Sequence, residues 1–246
     1  MNAYTVFDQK KSRFSFLLFA VLFLSYSATT FAQLKDESSA GLVLTTGNTQ
    51  TLSVNLKQNT DYQWDKNIVK VFGDFLTSSN DGIESSDKWD VGTRYERELN
   101  DHFNAFIGQR VEGDKFQDIL QRYSSDIGGK YYIQKLPRWK WFTELGYRFS
   151  REDYFVGFNN YSFVRIFNEV ERYFTNTVSV RWWVEFLPNV TQVAAYQLNT
   201  EVSVNAMITD IFSIKSGYLL KFNNSPPPGT AFRADNTVTT ALVAKF

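Results

Sequence analysis

Residues 40–64 read AGLVLTTGNTQTLSVNLKQNTDYQW, and how this stretch is read decides the fold. Apolar and polar residues alternate on both sides of Gly47-Asn48, the pattern of a strand, a tight turn and a second strand. Leu42 and Leu44 fall on one face, Val43 and Thr45 on the other. Beyond the turn, Leu52, Val54 and Leu56 share a face opposite Ser53, Asn55, Lys57 and Asn59. One side of the ribbon is apolar and the other is polar.

The rest of the chain repeats this ribbon, giving twelve alternating segments in all. Asp65-Lys66-Asn67 turns into a strand over 68–77, followed by a polar loop over 78–87 (SSNDGIESSD). Strand four, 88–98, sets Trp89, Val91 and Tyr95 against Asp90, Arg94 and Glu96. A turn at 99–102 leads to strand five, 103–111, and a second long loop covers 112–121. Strand six, 122–134, opposes Tyr123, Ile127, Tyr131 and Ile133 to Asp126 and Lys130. After 135–138, strand seven (139–150) opposes Trp141, Leu145, Tyr147 and Phe149 to Lys140, Glu144 and Arg148. A third long loop spans 151–160. Strand eight, 161–174, alternates poorly, and its register is not fixed by pattern. Past Thr175-Asn176, strand nine opposes Val178, Val180, Trp182, Val184 and Phe186 to Ser179, Arg181 and Glu185, ending at Pro188-Asn189. Strands ten (193–207) and eleven (212–222) follow. The run Pro226-Pro227-Pro228-Gly229 stops the ladder, and strand twelve is 235–246.

The first 32 residues are of another kind. Lys10, Lys11 and Arg13 precede the apolar run FSFLLFAVLFLSY (14–26), and Ala28-Thr29-Thr30-Phe31-Ala32 closes it. Basic, apolar and small residues in that order form an export signal, with cleavage expected after Ala32. The run is shorter than the about 20 residues a spanning helix needs. Residues 33–246 then form one domain, undivided by any linker.

Composition narrows the function classes. The chain holds 26 basic and 26 acidic residues, and losing Lys10, Lys11, Arg13 and Asp8 shifts the balance only slightly negative. No basic cluster recommends nucleic acid. With no cysteine there is no disulfide frame, thiolate metal site or cysteine nucleophile. Aromatics make up 17% of the chain, yet beyond the signal no apolar run could span as a helix. Strands with one lipid face and one polar lumen face have this composition.

Connections alternate between short (65–67, 99–102, 135–138, 175–176, 209–210) and mostly longer ones (78–87, 112–121, 151–160, 223–234). Aromatics gather beside both sets. Trp64, Tyr95, Phe103, Tyr132, Trp139, Tyr173, Phe174, Phe212 and Phe246 are near the short turns. Phe75, Trp89, Tyr123, Phe149, Tyr161, Phe186, Tyr196 and Phe222 are near the long ones. Two aromatic belts separated by aliphatic residues mark the two interfaces of a bilayer. The expectation is an all-β, transmembrane, antiparallel up-and-down β-barrel of about twelve strands, with both termini periplasmic, in the bacterial outer membrane. Outer-membrane lipid is then its surrounding partner. A soluble lipocalin-like barrel is the competing fold, but it would concentrate aromatics inside and use shorter strands.

Several short motifs, in order, carry a resemblance: Gly41 with Thr46-Gly47-Asn48-Thr49, Asp114-Lys115-Phe116-Gln117-Asp118-Ile119, Gly128-Gly129-Lys130-Tyr131, Glu185-Phe186-Leu187-Pro188-Asn189, and Pro227-Pro228-Gly229 before Asp235. The mature chain resembles the outer-membrane family called domain of unknown function 481, whose members are often labelled salt-induced outer membrane proteins. Thr46 stands where members commonly have Ser. The resemblance implies an outer-membrane barrel and no agreed activity. It also makes terminal Phe246, with Leu242 four residues before it, a sorting signal for the outer-membrane assembly machinery.

Candidate chemistry is thin. A barrel hydrolase with a Ser–His–acid site needs an imidazole beside its nucleophile, and the only histidine, His102, falls in a polar turn. One histidine and no cysteine cannot make a typical zinc or transition-metal site, so no cofactor is expected. Loop acids Asp81, Glu84, Asp87, Asp114 and Asp118 could hold a divalent cation through oxygen or simply be solvated. The lumen-lining candidates are Arg94, Glu96, Arg110, Asp126, Lys130, Glu144, Arg148, Arg181, Glu185, Glu201, Lys215 and Lys221, with Lys57 and Asp74. No ring of one sign stands out. Such residues either line a water-filled path for a narrow solute or ion channel, or pair with one another and plug it. A structural or surface barrel follows from the second arrangement.

Overall fold

The computed structural model describes residues 33–45, 51–81, 83–115, 119–155, 157–226 and 232–246. The export signal, the turn at Gly47-Asn48, the run Phe116-Gln117-Asp118 and Pro227-Pro228-Gly229 lie outside the described residues. Twelve strands follow in chain order: β1 (Gln33–Thr45), β2 (Thr51–Trp64), β3 (Asn67–Asn80), β4 (Ile83–Glu98), β5 (Phe103–Asp114) and β6 (Ile119–Leu136). Then come β7 (Trp139–Tyr154), β8 (Phe158–Tyr173), β9 (Val178–Pro188), β10 (Tyr196–Met207), β11 (Phe212–Asn223) and β12 (Ala234–Lys245). Each strand pairs antiparallel with its sequence neighbours, and β1 closes on β12, so the sheet is a barrel. Closure leaves no sheet edge, as a lipid-facing sheet requires.

The ladder is continuous between β1 and β2, from Gln33↔Gln63 to Thr45↔Thr51. The closing seam is shorter. It runs from Glu37↔Lys245 to Ala40↔Leu242, and Asp36 and Phe246 exchange backbone bonds of 3.0 and 2.9 Å beside it. Phe246 thus fastens the barrel at the end where β1 begins and β12 finishes, the terminal end.

Three of the expected loops are mostly strand. Segment 78–87 is the end of β3 and the start of β4, joined at Asp81-Gly82 between the paired residues Asn80 and Ile83. Asp81, directly after the last paired residue of β3, has φ +49°, a left-handed conformation typical of tight turns. Segments 112–121 and 151–160 likewise extend β5, β6, β7 and β8. The strands run from 11 to 18 residues, whereas a tilted strand crosses a bilayer in about 9–11. The surplus lies beyond that length, and in 78–80 and 84–87 polar residues on both faces hide the alternation.

The barrel is apolar outside and charged inside. Leu42, Val91, Ile107, Ile127, Leu145, Val202 and Leu242 are exposed on the outer wall. Among the most buried side chains are Glu96, Asn104 and Glu144. Among the described residues, charges on the outer face of the strands occur only near the two ends. Asp36, Arg97 and Arg172 lie towards the termini, and Asp87, Arg151 and Asp153 lie at the opposite end. On β4 the charge-free stretch lies between Asp87 and Arg97. Ten residues at about 3.3 Å each, tilted by about 40°, give a band of about 25 Å, the height of an outer-membrane apolar belt.

Aromatics flank that band. Tyr62 and Trp64 pack at 5.4 Å at the terminal end, and Phe186, Tyr196 and Phe222 form a ladder at the other, with spacings of 5.7 and 5.8 Å. Tyr132, Tyr161 and Tyr173, expected in the belts, instead face inward on the rows of Phe142, Phe163 and Ser179. The poor alternation of β8 has the same origin. Its inner face interleaves Phe163 and Phe167 with Arg165 and Glu169, so both of its faces carry apolar residues.

One close approach has a measurable consequence. Gly128 and Gly146 are paired on the inner face, and the buried Phe106 ring lies against them. A Cβ on Gly128 would meet the Leu145 carbonyl oxygen at 2.5 Å, Gly146 Cα at 2.7 Å and Phe106 Cζ at 2.8 Å. The first two are backbone and cannot swing aside. Gly128→Ala is expected to cost roughly 1–3 kcal/mol through overpacking, read as a lower urea midpoint for the refolded barrel.

Candidate functional site

The inner face brings four anions and four cations into one buried network spanning β4 to β9. Glu144 on β7 accepts a bidentate pair from Arg94 on β4, at 3.0 and 2.7 Å, and a third bond from Arg165 on β8 at 2.6 Å. Lys130 on β6 donates to both oxygens of Glu96, at 2.8 and 2.7 Å, and sits 3.4 Å from Glu144. Glu185 on β9 accepts from Arg165 at 2.6 Å, Arg148 at 3.1 Å and Asn199 at 3.1 Å. Arg148 holds Asp126 with two bonds, at 2.7 and 2.8 Å. The charges of Arg94, Lys130, Arg148 and Arg165 balance those of Glu96, Asp126, Glu144 and Glu185, so the cluster is neutral as a unit.

Aromatic rings support the cations. The Arg94 guanidinium lies 3.7 Å from the Phe106 ring centre, and Lys130 Nζ lies 4.7 Å from that of Phe142. Phe142, Phe167 and Trp183 stack in a row with 5.9 Å between successive rings. A charge held over a ring face and bonded to carboxylates is compensated for leaving water.

A second group lies towards the end away from the termini. Arg122 bridges Glu112 and Glu152, and Arg110 bridges Asp90 and Glu112. Lys88 on β4 reaches Asp114 on β5 and, across the interior, Asp235 on β12, each at 3.0 Å. Lys57 pairs with Asp74, Lys215 with Glu201 and Arg181 with Glu169. Of the twelve candidates read from the sequence, Lys221 is the one without an ion pair or side-chain hydrogen bond among the described residues. Its charged neighbours are Glu112, Arg110, Asp90 and Lys88.

The interior is lopsided. Glu96 and Glu144 are 1% and 2% exposed, while Lys57, Asp74 and Lys88 are 30% exposed although they too point inward. Inward side chains can only be exposed to space inside the barrel. The wall on that side carries small residues, with Ser203, Gly217 and Thr239 side by side on β10, β11 and β12. The charged network is packed to near-zero exposure, while Lys57, Asp74 and Lys88 keep part of their surface open inside the barrel.

Sequence pattern alone missed Arg165, Glu112, Arg122 and Glu152 as members of these clusters. Arg165 belongs to β8, whose register the pattern did not fix. Glu112 and Glu152 fell in segments read as loops. The Asp81-Gly82 dipeptide, a hairpin signature, was the available sign for segment 78–87 alone.

Other candidates resolve structurally. His102 Nδ1 lies 3.0 Å from the Tyr132 carbonyl oxygen and its ring stacks on Tyr131, so it fastens a turn. At the rim, Glu84 bonds Lys115 and holds that ammonium above the usual lysine range. Among the described residues no group of acids or histidine is placed to hold a metal ion.

Several solved structures align with this barrel. An outer membrane channel from Pseudomonas putida F1 aligns with a TM-score of 0.51 at 11% identity, over 90% of this chain and 98% of that one. The NanC porin aligns at 0.49 and 10% identity, over 86% of this chain and 97% of that one. The translocator domain of the autotransporter NalP from Neisseria meningitidis aligns at 0.47 and 8% identity, over 99% and 98%. At 11% identity the likeness to the Pseudomonas putida channel is one of fold. No curated protein matches the chain. Residues 38–246 match one known protein family, and the chain belongs to it: Protein of unknown function, DUF481.

Proposed function

We propose that this protein is a narrow outer-membrane channel for small ions or polar solutes, exported with loss of residues 1–32 and oriented with both termini in the periplasm. The observation that carries the proposal is the lopsided interior. Lys57, Asp74 and Lys88, each 30% exposed, and Arg110, 32% exposed, point into the interior, while the neutral network is packed beside β4 to β9. Charges of both signs along such a path favour hydrated ions without strong selection by sign. The refolded barrel in a planar bilayer should give small, discrete conductance steps. Gly217→Phe, which adds a ring on the inner face of β11, should reduce them. Absence of any step above the lipid baseline would overturn the channel reading.

A second reading has its own support. Because the β4–β9 network is balanced and buried, it can act as a permanent plug, leaving a structural or surface barrel. A sealed bilayer together with a stably folded protein is the result that reading requires.

A further inference from the structure

At the end away from the termini the barrel opens into a cavity of about 690 Å³ over the tips of β7, β8, β10 and β11. Its lining differs from the charged interior below. Tyr154, Tyr161 and Phe163 present aromatic surface, and Asn159 and Gln197 add amides with no side-chain hydrogen bond among the described residues. Tyr161 and Phe163 sit 6.2 Å apart with their planes at 43°. Glu152 is the one charged side chain among the described lining residues, and both of its oxygens are engaged. One accepts from Arg122 at 2.6 Å and the other from the Tyr154 hydroxyl.

We propose that this cavity is a binding site for a neutral saccharide of two or three sugar units. The size lies within the range of pockets that enclose such molecules, about 300–1,000 Å³. A pyranose ring has an apolar C–H face that lies flat on an aromatic ring. Its rim of hydroxyls, each both donor and acceptor, matches side-chain amides that are likewise both. The absence of an uncompensated charge among the described lining residues sets the class. An anionic or cationic ligand would lose its hydration without gaining a partner, and a neutral polyol would not. The site extends the proposed function by naming a solute class at the mouth, but binding needs only the folded barrel and not an open path. A sealed bilayer would therefore leave this proposal standing, and absent binding would leave conduction standing.

The test is calorimetric titration of the refolded barrel in a sugar-free amine oxide detergent. The probes are maltotriose, cellotriose and diacetylchitobiose, with lactobionate as a charged comparison. At least one neutral probe should bind, and lactobionate should bind more weakly. Asn159→Ala, at an exposed position, should weaken binding by about fivefold, the equivalent of one hydrogen bond. Tyr161→Ala should weaken it by about tenfold or more, and Tyr161→Phe should retain it, because the ring rather than the hydroxyl is the platform. Lack of heat for all three neutral probes would overturn the proposal. So would binding unchanged by both Asn159→Ala and Tyr161→Ala, or tighter binding of lactobionate.

Discussion

Glu144→Ala is expected to destabilise the barrel by about 3–5 kcal/mol, the usual cost of removing one partner from a buried ion network. Glu144 is the hinge of the cluster. It accepts three hydrogen bonds from Arg94 and Arg165 and lies beside Lys130. Its removal leaves an excess positive charge around Phe106, in a region with almost no exposure to lumen water. Arg94 and Arg165 are both left short of a carboxylate in the packed interior. The cycle with Arg165→Met isolates the pair. The double variant should recover part of the loss, because one cation leaves with the anion. Trp183, close to the network through Phe167, offers a fluorescence reading of urea unfolding in lipid or detergent. A loss under ~0.5 kcal/mol would mean that water already solvates these groups, and the packed half of the interior would have to be redrawn as open.

The hairpin at 40–64 made the architecture legible because lipid and lumen impose opposite demands on alternate residues. That demand acts only within the hydrocarbon and only where the lumen face is polar. It lapses in the extensions 78–80 and 84–87, which pair as strands although both faces are polar. It lapses again in β8, where Phe163 and Phe167 turn inward to support Arg165 and the stack with Phe142 and Trp183. Tyr132 was misread for the same reason. An inward aromatic serving as a platform has the composition of a belt residue, and only the register separates the two. Most of the charged candidates were legible one strand at a time. Their partners were not, since Arg94–Glu144 and Lys88–Asp235 join strands that are not sheet neighbours. Pattern within a strand carries no information about what stands across the barrel.

Leu145→Arg tests what wets the outer wall. Leu145 is 64% exposed and lies on β7 between Trp141 and the pair Tyr147 and Phe149, near the middle of the charge-free band. If water surrounds the barrel, an exposed leucine replaced by arginine should change stability by no more than about 0.5 kcal/mol. If hydrocarbon surrounds it, the same change should cost about 2–4 kcal/mol, the penalty for arginine at the midplane of a barrel. The two solvents predict different magnitudes for one substitution, which makes it a sharper probe than solubility. Arg151→Leu is the internal control. Arg151 already stands on the outer face beyond Phe149 and pairs with Asp153 at 2.9 Å. Its replacement should stay within about 0.5 kcal/mol in either solvent, since an exposed pair contributes little. Urea unfolding in phospholipid vesicles reads both variants. A neutral Leu145→Arg beside a neutral Arg151→Leu would remove the bilayer from the account of this barrel. A large loss confined to Leu145→Arg would place its equator in hydrocarbon, where a polypeptide this rich in charge can reside only by turning those charges inward and pairing them there.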